Sequence, residues 1–144
     1  MATIKRSASA QWQGSGKEGK GSLTTQSGVL QQSQYGFNTR FEEGPGTNPE
    51  ELIAAAHAGC FTMALAFQLS GAGHPPEMLQ TEAKVALEQE GGGWTIAAVA
   101  LTLKARVPGL AAEEFHKLAE AAKANCPVSK VLKAAISLEA SLEA

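Results

Sequence analysis

Cysteine is scarce in this chain, with only Cys60 and Cys126 among 144 residues. Two cysteines are too few for the disulfide framework of a small secreted protein. They are the number needed for a nucleophilic thiol and a second thiol that resolves it. The pair therefore favours catalytic or redox chemistry over a structural role.

The chain also lacks blocks of like charge. Its net charge is -2, and 18% of its residues are charged. This balance does not favour a nucleic-acid or anionic-membrane partner.

Residues 1–6 carry no apolar signal stretch, so the default expectation is a cytoplasmic location, where thiols stay reduced. The length and the apolar content of 44% predict one globular domain over residues 1–144.

The longest apolar run, residues 52–69, is close to the minimum of about 18 residues for a membrane span. It contains His57, Thr62 and Gln68, acidic residues precede it, and no basic cluster flanks it. We therefore predict a helix buried in a globular core on all sides. One sheet can cover one side of it, and the simplest cover for the other side is a second copy, so we predict a homodimer.

The remaining pattern predicts an α+β fold with antiparallel strand pairing. Helix patterns cover residues 48–70 and 110–125. Strand patterns precede the first helix at 4–13, 23–26 and 35–41, lie between the two helices at 82–88 and 95–107, and follow the second helix at 136–142. Asn48 or Thr47 can cap the first helix, and Ser70-Gly71 can end it. Residues 14–21 partly match a phosphate-binding loop, but Gly21 replaces the required Ser or Thr, so we interpret them as a hairpin tip.

Cys60 can be a small buried hydrophobe or a reactive thiol. A thiol reacts as the thiolate, and Cys60 lies too far inside the predicted helix for the helix dipole to favour that form. A reactive Cys60 therefore needs a cation from elsewhere in the fold. Arg40 and Arg106 are candidates, and Arg40, at the end of a predicted strand, is nearer to the helix in sequence.

Two polar residues precede Cys60 on the predicted helix. Glu50 lies ten positions earlier, roughly 15 Å along the axis, so it cannot touch Cys60 of its own helix. In an antiparallel dimer of helices, Glu50 of one chain would approach Cys60 of the other. His57 lies one turn before Cys60 and is either part of a Cys-His nucleophile pair or a hydrogen-bonded polar residue in an apolar helix. Neither His74 nor His116 has metal-ligand spacing with a cysteine, so we predict no metal site.

The neighbouring apolar residues are most simply core. Met63 and Phe67 follow Cys60 by three and seven residues, which places them on its side of the helix. A pocket at Cys60 would then be apolar, with Phe41, Met63 and Phe67 as candidate substrate-binding residues.

Five stretches together resemble the osmotically inducible protein C (OsmC) family of hydroperoxide reductases, which includes the organic hydroperoxide resistance (Ohr) proteins. They are Gly-Val-Leu at 28–30, Tyr-Gly-Phe-Asn-Thr-Arg-Phe at 35–41, Gly-Thr-Asn-Pro-Glu-Glu-Leu at 46–52, Ala-His-Ala-Gly-Cys-Phe at 56–61 and Cys-Pro-Val-Ser at 126–129. The resemblance covers essentially the whole chain, and the 36–41 stretch is more similar to the OsmC branch than to the Ohr branch.

The resemblance implies a peroxidatic Cys60, a resolving Cys126, and an Arg40–Glu50 ion pair that activates the thiolate. It also implies an intertwined homodimer, with antiparallel sheets wrapped around a long buried central helix. The implied activity is reduction of organic hydroperoxides, and of hydrogen peroxide less well, in defence against oxidative or osmotic stress. No bound cofactor or metal is implied, only an external dithiol reductant of lipoyl or thioredoxin type. Two alternatives remain, a hydrolase using Cys60 and His57 and a non-enzymatic ligand-binding module with inert cysteines.

Overall fold

The structure is a computed structural model that describes residues 2–143 in two compact units, divided between Leu52 and Ile53. The first unit holds strands β1 (Ala8–Gln13), β2 (Lys20–Thr25) and β3 (Ser33–Tyr35), helix α1 (Phe37–Phe41) and the start of helix α2 (Pro49–Gly71). The second unit holds the rest of α2, strands β4 (Met78–Glu90) and β5 (Gly93–Arg106), helices α3 (Ala112–Asn125) and α4 (Pro127–Val131), and strand β6 (Ala135–Glu143).

The first unit is built on a three-stranded antiparallel sheet in the order β1-β2-β3. Residues 14–19 join β1 to β2, which confirms the predicted hairpin tip. Gly14 adopts a φ of 97°, a left-handed conformation that favours glycine. All six residues of β1 are exposed, and the buried hydrophobic residues of the described chain all belong to the second unit.

The predicted strand at 35–41 is wrong. The strand ends at Tyr35, and residues 37–41 form α1, in which the Thr39 hydroxyl bonds to both the N–H and the C=O of Gly36. The rings of Phe37 and Phe41 lie 5.1 Å apart between centroids. Two aromatic residues four positions apart share a face in a helix as well as in a strand, so the pattern alone did not separate the two.

Local signals place the start of α2 correctly. The side chain of Asn48 accepts a hydrogen bond of 2.7 Å from the backbone N–H of Glu51, which is the N-cap interaction predicted from sequence. The Thr47 hydroxyl donates to the Glu51 carboxylate at 2.7 Å. At the other end, α2 continues through Gly71, and Gly73 takes the left-handed conformation with a φ of 86°.

The second unit contains a mixed sheet in the order β4-β5-β6. Strands β4 and β5 pair antiparallel, but β5 and β6 pair parallel, which corrects the prediction of purely antiparallel pairing. The reason is the connection, because a parallel pair needs a long crossover and α3 with α4 supplies one. The inner face of β5 is fully buried as its alternation predicts, through Val99, Leu101 and Leu103.

Helix α2 buries one face in the second unit and leaves much of the other exposed. Phe61, Leu65 and Leu69 lie in the hydrophobic core of that unit with no exposed surface, whereas Met63 is 64% and Phe67 74% exposed. Within this chain α2 is therefore buried on one side only, and the assignment of Met63 and Phe67 to the core is wrong. Cover of the other side by a second copy stays a prediction. By length and composition alone α2 could cross a membrane, and 22% of its most apolar window is buried.

Candidate active site

The two thiols lie together in the second unit, although 66 positions separate them in sequence (126 − 60 = 66). Cys60 is half-buried on α2, Cys126 is fully buried, and neither forms a disulfide. Their side chains are hydrogen-bonded to each other. A half-exposed thiol, which an oxidant can reach, is thus in direct contact with a buried thiol. This arrangement allows the first thiol to be oxidised and the second to form a disulfide with it.

Proline positions Cys126. Helix α3 ends at Asn125, and Cys126 has φ -58° and ψ 126°, outside the helical region. A residue before proline is sterically disfavoured from helical geometry, and Pro127 is pre-organised to begin the next helix, α4. The Cys-Pro sequence therefore forces a turn between two helices and places the Cys126 thiol at that turn.

The two thiols differ in acidity. Burial raises the pKa of the Cys60 thiol, its hydrogen bond to Cys126 adds to the increase, and the N–H of Val128 opposes it. Burial also opposes ionisation of Cys126, but the pKa of Cys126 is lowered, because the neighbouring Cys60 thiol, Ser129 and Val128 favour the thiolate. Among the described residues of this unit, no cation contributes to the pKa of Cys60.

Arg40 and Glu50 form a bidentate ion pair within the first unit. Arg40 Nε donates to Glu50 Oε1 at 3.2 Å, and Arg40 Nη2 donates to Oε2 at 3.0 Å. Arg40 lies on α1 rather than on a strand, and its guanidinium is 5.3 Å from the ring centroid of Phe41. The Glu50 side chain is 12% exposed and that of Arg40 41% exposed. Glu50 therefore fixes the plane of the guanidinium while Arg40 keeps surface available for a ligand or a second thiol.

His57 is fully buried one turn before Cys60, and it pairs with Ser129. Its Nε2 lies 2.7 Å from Ser129 Oγ, while its buried Nδ1 has no partner among the described residues. Burial lowers the pKa of His57, which favours the neutral imidazole. This confirms the interpretation of a hydrogen-bonded polar residue and does not give the Cys60–His57 pair that a hydrolase requires. Sequence reasoning did not find Ser129 as the partner, because 72 positions separate the two residues.

The three candidate substrate-binding residues are divided between the two units. Phe41 is half-buried beside Phe37 in the first unit, while Met63 and Phe67 are exposed on α2 in the second. A cavity of about 670 Å³ lies in the first unit, lined by residues between Lys17 and Glu42. None of the candidate site residues lines it.

A thiol pair of this kind, on a long helix and at a Cys-Pro turn in an α+β fold, defines a class of cysteine-based redox proteins. The sequence model described as OsmC-like protein matches residues 42–141. Peroxiredoxin OsmC of Escherichia coli is 50% identical over 141 residues, which cover 98% of this chain and 99% of that protein. Organic hydroperoxide resistance protein OhrB of Bacillus subtilis is 30% identical over 85% of this chain and 89% of its own length.

Solved structures agree with the sequence comparisons. The crystal structure of an organic hydroperoxide resistance protein from Elizabethkingia anophelis, with crystallant-derived thiocyanate bound, superimposes with a TM-score of 0.66. It is 29% identical, and the match covers 99% of both chains. The chain belongs to the OsmC family. The predicted family and the OsmC-like α+β fold are thereby confirmed.

Proposed function

We propose that this protein is a thiol-dependent peroxidase that reduces organic hydroperoxides to alcohols and water with two cysteines. The observation that carries the proposal is the hydrogen-bonded pair of Cys60 and Cys126 in a chain of this family. The names of its relatives, peroxiredoxin and organic hydroperoxide resistance protein, support the same activity.

The reaction begins at Cys60, because it is the thiol of the pair with exposed surface. The Cys60 sulfur attacks the distal oxygen of the hydroperoxide, the O–O bond breaks, and the alkoxide takes up a proton to leave as the alcohol. Cys60 is left as a sulfenic acid. The Cys126 thiolate then attacks the Cys60 sulfur, the S–S bond forms, and hydroxide leaves and is protonated to water. An external dithiol supplies two electrons to restore both thiols.

In the first step Cys60 must lose its proton, which burial opposes by raising the pKa of its thiol. We assign to Arg40 the positive charge that stabilises the Cys60 thiolate and the developing alkoxide, with Glu50 holding the guanidinium in place. Phe41, Met63 and Phe67 would supply apolar contacts to the organic group of the substrate.

We propose that the working unit is a homodimer. Glu50 and Cys60 are ten residues apart on α2, about 15 Å along its axis, so the ion pair is better placed to serve a partner's Cys60. The exposed side chains of Met63 and Phe67 and the absence of buried hydrophobic residues from the first unit, among residues 2–143, support the same conclusion. Such apolar surface is stabilised when a second copy covers it.

Phe67→Glu is expected to shift the protein from dimer to monomer, because it would bury a carboxylate in the apolar interface. Light scattering after size-exclusion chromatography measures the mass directly. Trp94→Glu, which changes a half-exposed aromatic residue on β5, is the matched control and should remain dimeric. A dimeric Phe67→Glu variant would show that this face of α2 is not the interface.

Subunit mixing can decide whether Arg40 acts across the dimer. A heterodimer of one Cys60→Ser chain and one Arg40→Met chain contains one intact Cys60 and one intact Arg40, on different chains. If Arg40 serves the partner's Cys60, this heterodimer regains about half of the parent peroxidase activity, although each homodimer is inactive. Absence of recovery in a heterodimer of verified composition would place Arg40 and Cys60 of the same chain together.

The activity itself is tested by peroxide consumption with cumene hydroperoxide and with hydrogen peroxide, each with lipoamide dithiol and with thioredoxin as the reductant. We expect cumene hydroperoxide to react with a kcat/KM at least about tenfold higher, since apolar contacts of this size discriminate by that factor or more. Consumption of neither peroxide with either dithiol would contradict the proposal.

We further propose that both units form one domain over residues 1–144, since the family match at 42–141 crosses the boundary between them. We place the protein in the cytoplasm, where dithiol reductants keep such thiols reduced, in oxidative or osmotic stress defence.

A further inference from the structure

The side chain of Asn48 makes two hydrogen bonds, one through each end of its amide. Its Oδ1 accepts from the backbone N–H of Glu51 at 2.7 Å, which caps α2. Its Nδ2 donates to the backbone C=O of Thr39, a residue of α1, at 3.0 Å. Capping accounts for the first bond but not for the second, because an N-cap needs only an acceptor. The second bond therefore indicates a further role for Asn48.

Each of these bonds ends beside one member of the Arg40–Glu50 pair. Thr39 immediately precedes Arg40 in α1, and Glu51 immediately follows Glu50 in α2. The Asn48 amide thus joins the backbone next to the guanidinium to the backbone next to the carboxylate. All of these residues lie within the first unit.

The ion pair by itself is a weak link between α1 and α2. Helix α1 has only five residues, which is too short to be stable alone. Seven residues, 42–48, separate it from α2 (48 − 41 = 7), and the glycines Gly44 and Gly46 make this connection flexible. The Arg40 side chain is 41% exposed, and ion pairs at such exposure contribute little. A contact between the two backbones is therefore needed to keep the charged groups aligned.

Thr39 is a firm anchor for the Asn48 donor. It is buried, and its hydroxyl bonds to both the N–H and the C=O of Gly36. The backbone N–H of Arg40 donates to the same C=O of Gly36 at 3.1 Å. A bond to the C=O of Thr39 therefore fixes the turn of α1 from which the Arg40 side chain extends.

We propose that Asn48 is a positioning residue for the Arg40–Glu50 pair. By fixing α1 against the start of α2, its amide holds the guanidinium in the orientation that stabilises the Cys60 thiolate. This inference rests on the proposed peroxidase function and assigns to Asn48 a role in its first step, the oxidation of Cys60. The closing of the disulfide is left unchanged.

Thr47 provides a matched control at the same helix start. Its hydroxyl donates to the Glu51 carboxylate at 2.7 Å, and its backbone N–H donates to the C=O of Gln34 on β3 at 2.9 Å. Neither of these bonds reaches α1. Thr47→Val removes the hydroxyl with little change of shape, so it weakens the start of α2 while the two bonds of Asn48 stay in place.

Two variants of the full chain remove the bond to Thr39 and keep the cap. Asn48→Ser retains a good N-cap, but its oxygen ends one bond short of the position of Nδ2. Asn48→Asp retains the cap acceptor and has no N–H to donate. Thermal unfolding of each variant shows that it is folded before its reactivity is measured.

The test measures the reactivity of Cys60 in two ways. In both Asn48 variants we expect single-turnover oxidation of Cys60 by cumene hydroperoxide to be about tenfold slower near pH 7, because the cation is displaced. The pH midpoint for labelling of Cys60 with iodoacetamide should move upward, since a misaligned cation stabilises the thiolate less. Peptide mass analysis separates the labelling of Cys60 from that of Cys126. Thr47→Val should keep the parent rate and midpoint.

A double variant separates positioning of Arg40 from a general loss of stability. If Asn48 acts through Arg40, then Asn48→Ser should move the labelling midpoint no further in a chain that already carries Arg40→Met. A further movement there, an unchanged midpoint in both Asn48 variants, or an equal movement in Thr47→Val would overturn the inference while the peroxidase function stands. Failure of the parent protein to consume peroxide would instead overturn the proposed function.

Discussion

Cys60→Ser is expected to abolish peroxide consumption, with a loss of at least about a thousandfold in kcat/KM. Serine occupies nearly the same volume, but its hydroxyl stays protonated at neutral pH and cannot form the sulfenic acid on which the second step depends. Because Cys60 is only half-buried on α2, the substitution leaves the hydrophobic core of the second unit in place. Peroxide remaining after mixing with excess dithiol is the quantity to measure.

The comparison variant for this experiment is Cys126→Ser, which keeps Cys60. If only Cys60 reacts with the peroxide, the Cys126→Ser variant consumes about one equivalent of peroxide per chain in the absence of reductant. The Cys60→Ser variant then consumes none. Equal consumption by the two variants would mean that Cys126 also attacks the peroxide. That result would contradict the assignment, which rests on the exposure of the two sulfurs.

Cys126→Ser is expected to complete one turnover and then to stall or overoxidise under continuous peroxide. Without a neighbouring thiol the Cys60 sulfenic acid persists, and a second peroxide converts it to the sulfinic acid, which dithiols do not reduce. Intact-mass measurement should find one added oxygen after one equivalent of peroxide and two after an excess. The disulfide seen in the parent protein should be absent.

The same variant also probes the acidity of Cys60. In the parent protein the hydrogen bond to Cys126 contributes to the raised pKa of Cys60, after burial. Its removal should therefore leave the rate of the first oxidation unchanged or slightly higher. Undiminished steady-state turnover of Cys126→Ser with a dithiol reductant would refute a resolving role for Cys126.

Several features of the fold could be read from sequence because their causes are local. The cap of α2 depends on Asn48 and Glu51, which lie within one turn of each other. The buried face of β5 follows from alternation along a single strand. Local signals failed where two structures share one spacing, as at Phe37 and Phe41, whose separation of four residues suits a helix and a strand equally.

The candidate site was harder to predict, because its chemistry depends on burial and on residues distant in sequence. The resemblance to the OsmC family supplied Cys60, Cys126, Arg40 and Glu50, and the structure adds that Arg40 and Glu50 form a bidentate pair. The exposure of Met63 and Phe67 was not predicted, because helical spacing gives the face of a side chain but not what covers that face.

By itself, the sequence determined where the long helix and most strands lie, and that two thiols are available for chemistry. These features follow from residue type and periodicity over a few positions. Only the tertiary structure decided that β6 runs parallel to β5, that His57 bonds to Ser129, and that burial raises the pKa of Cys60 while the pKa of Cys126 is lowered. Each of these depends on groups brought together from distant parts of the chain, where burial and hydrogen-bond donors determine which atom holds a proton.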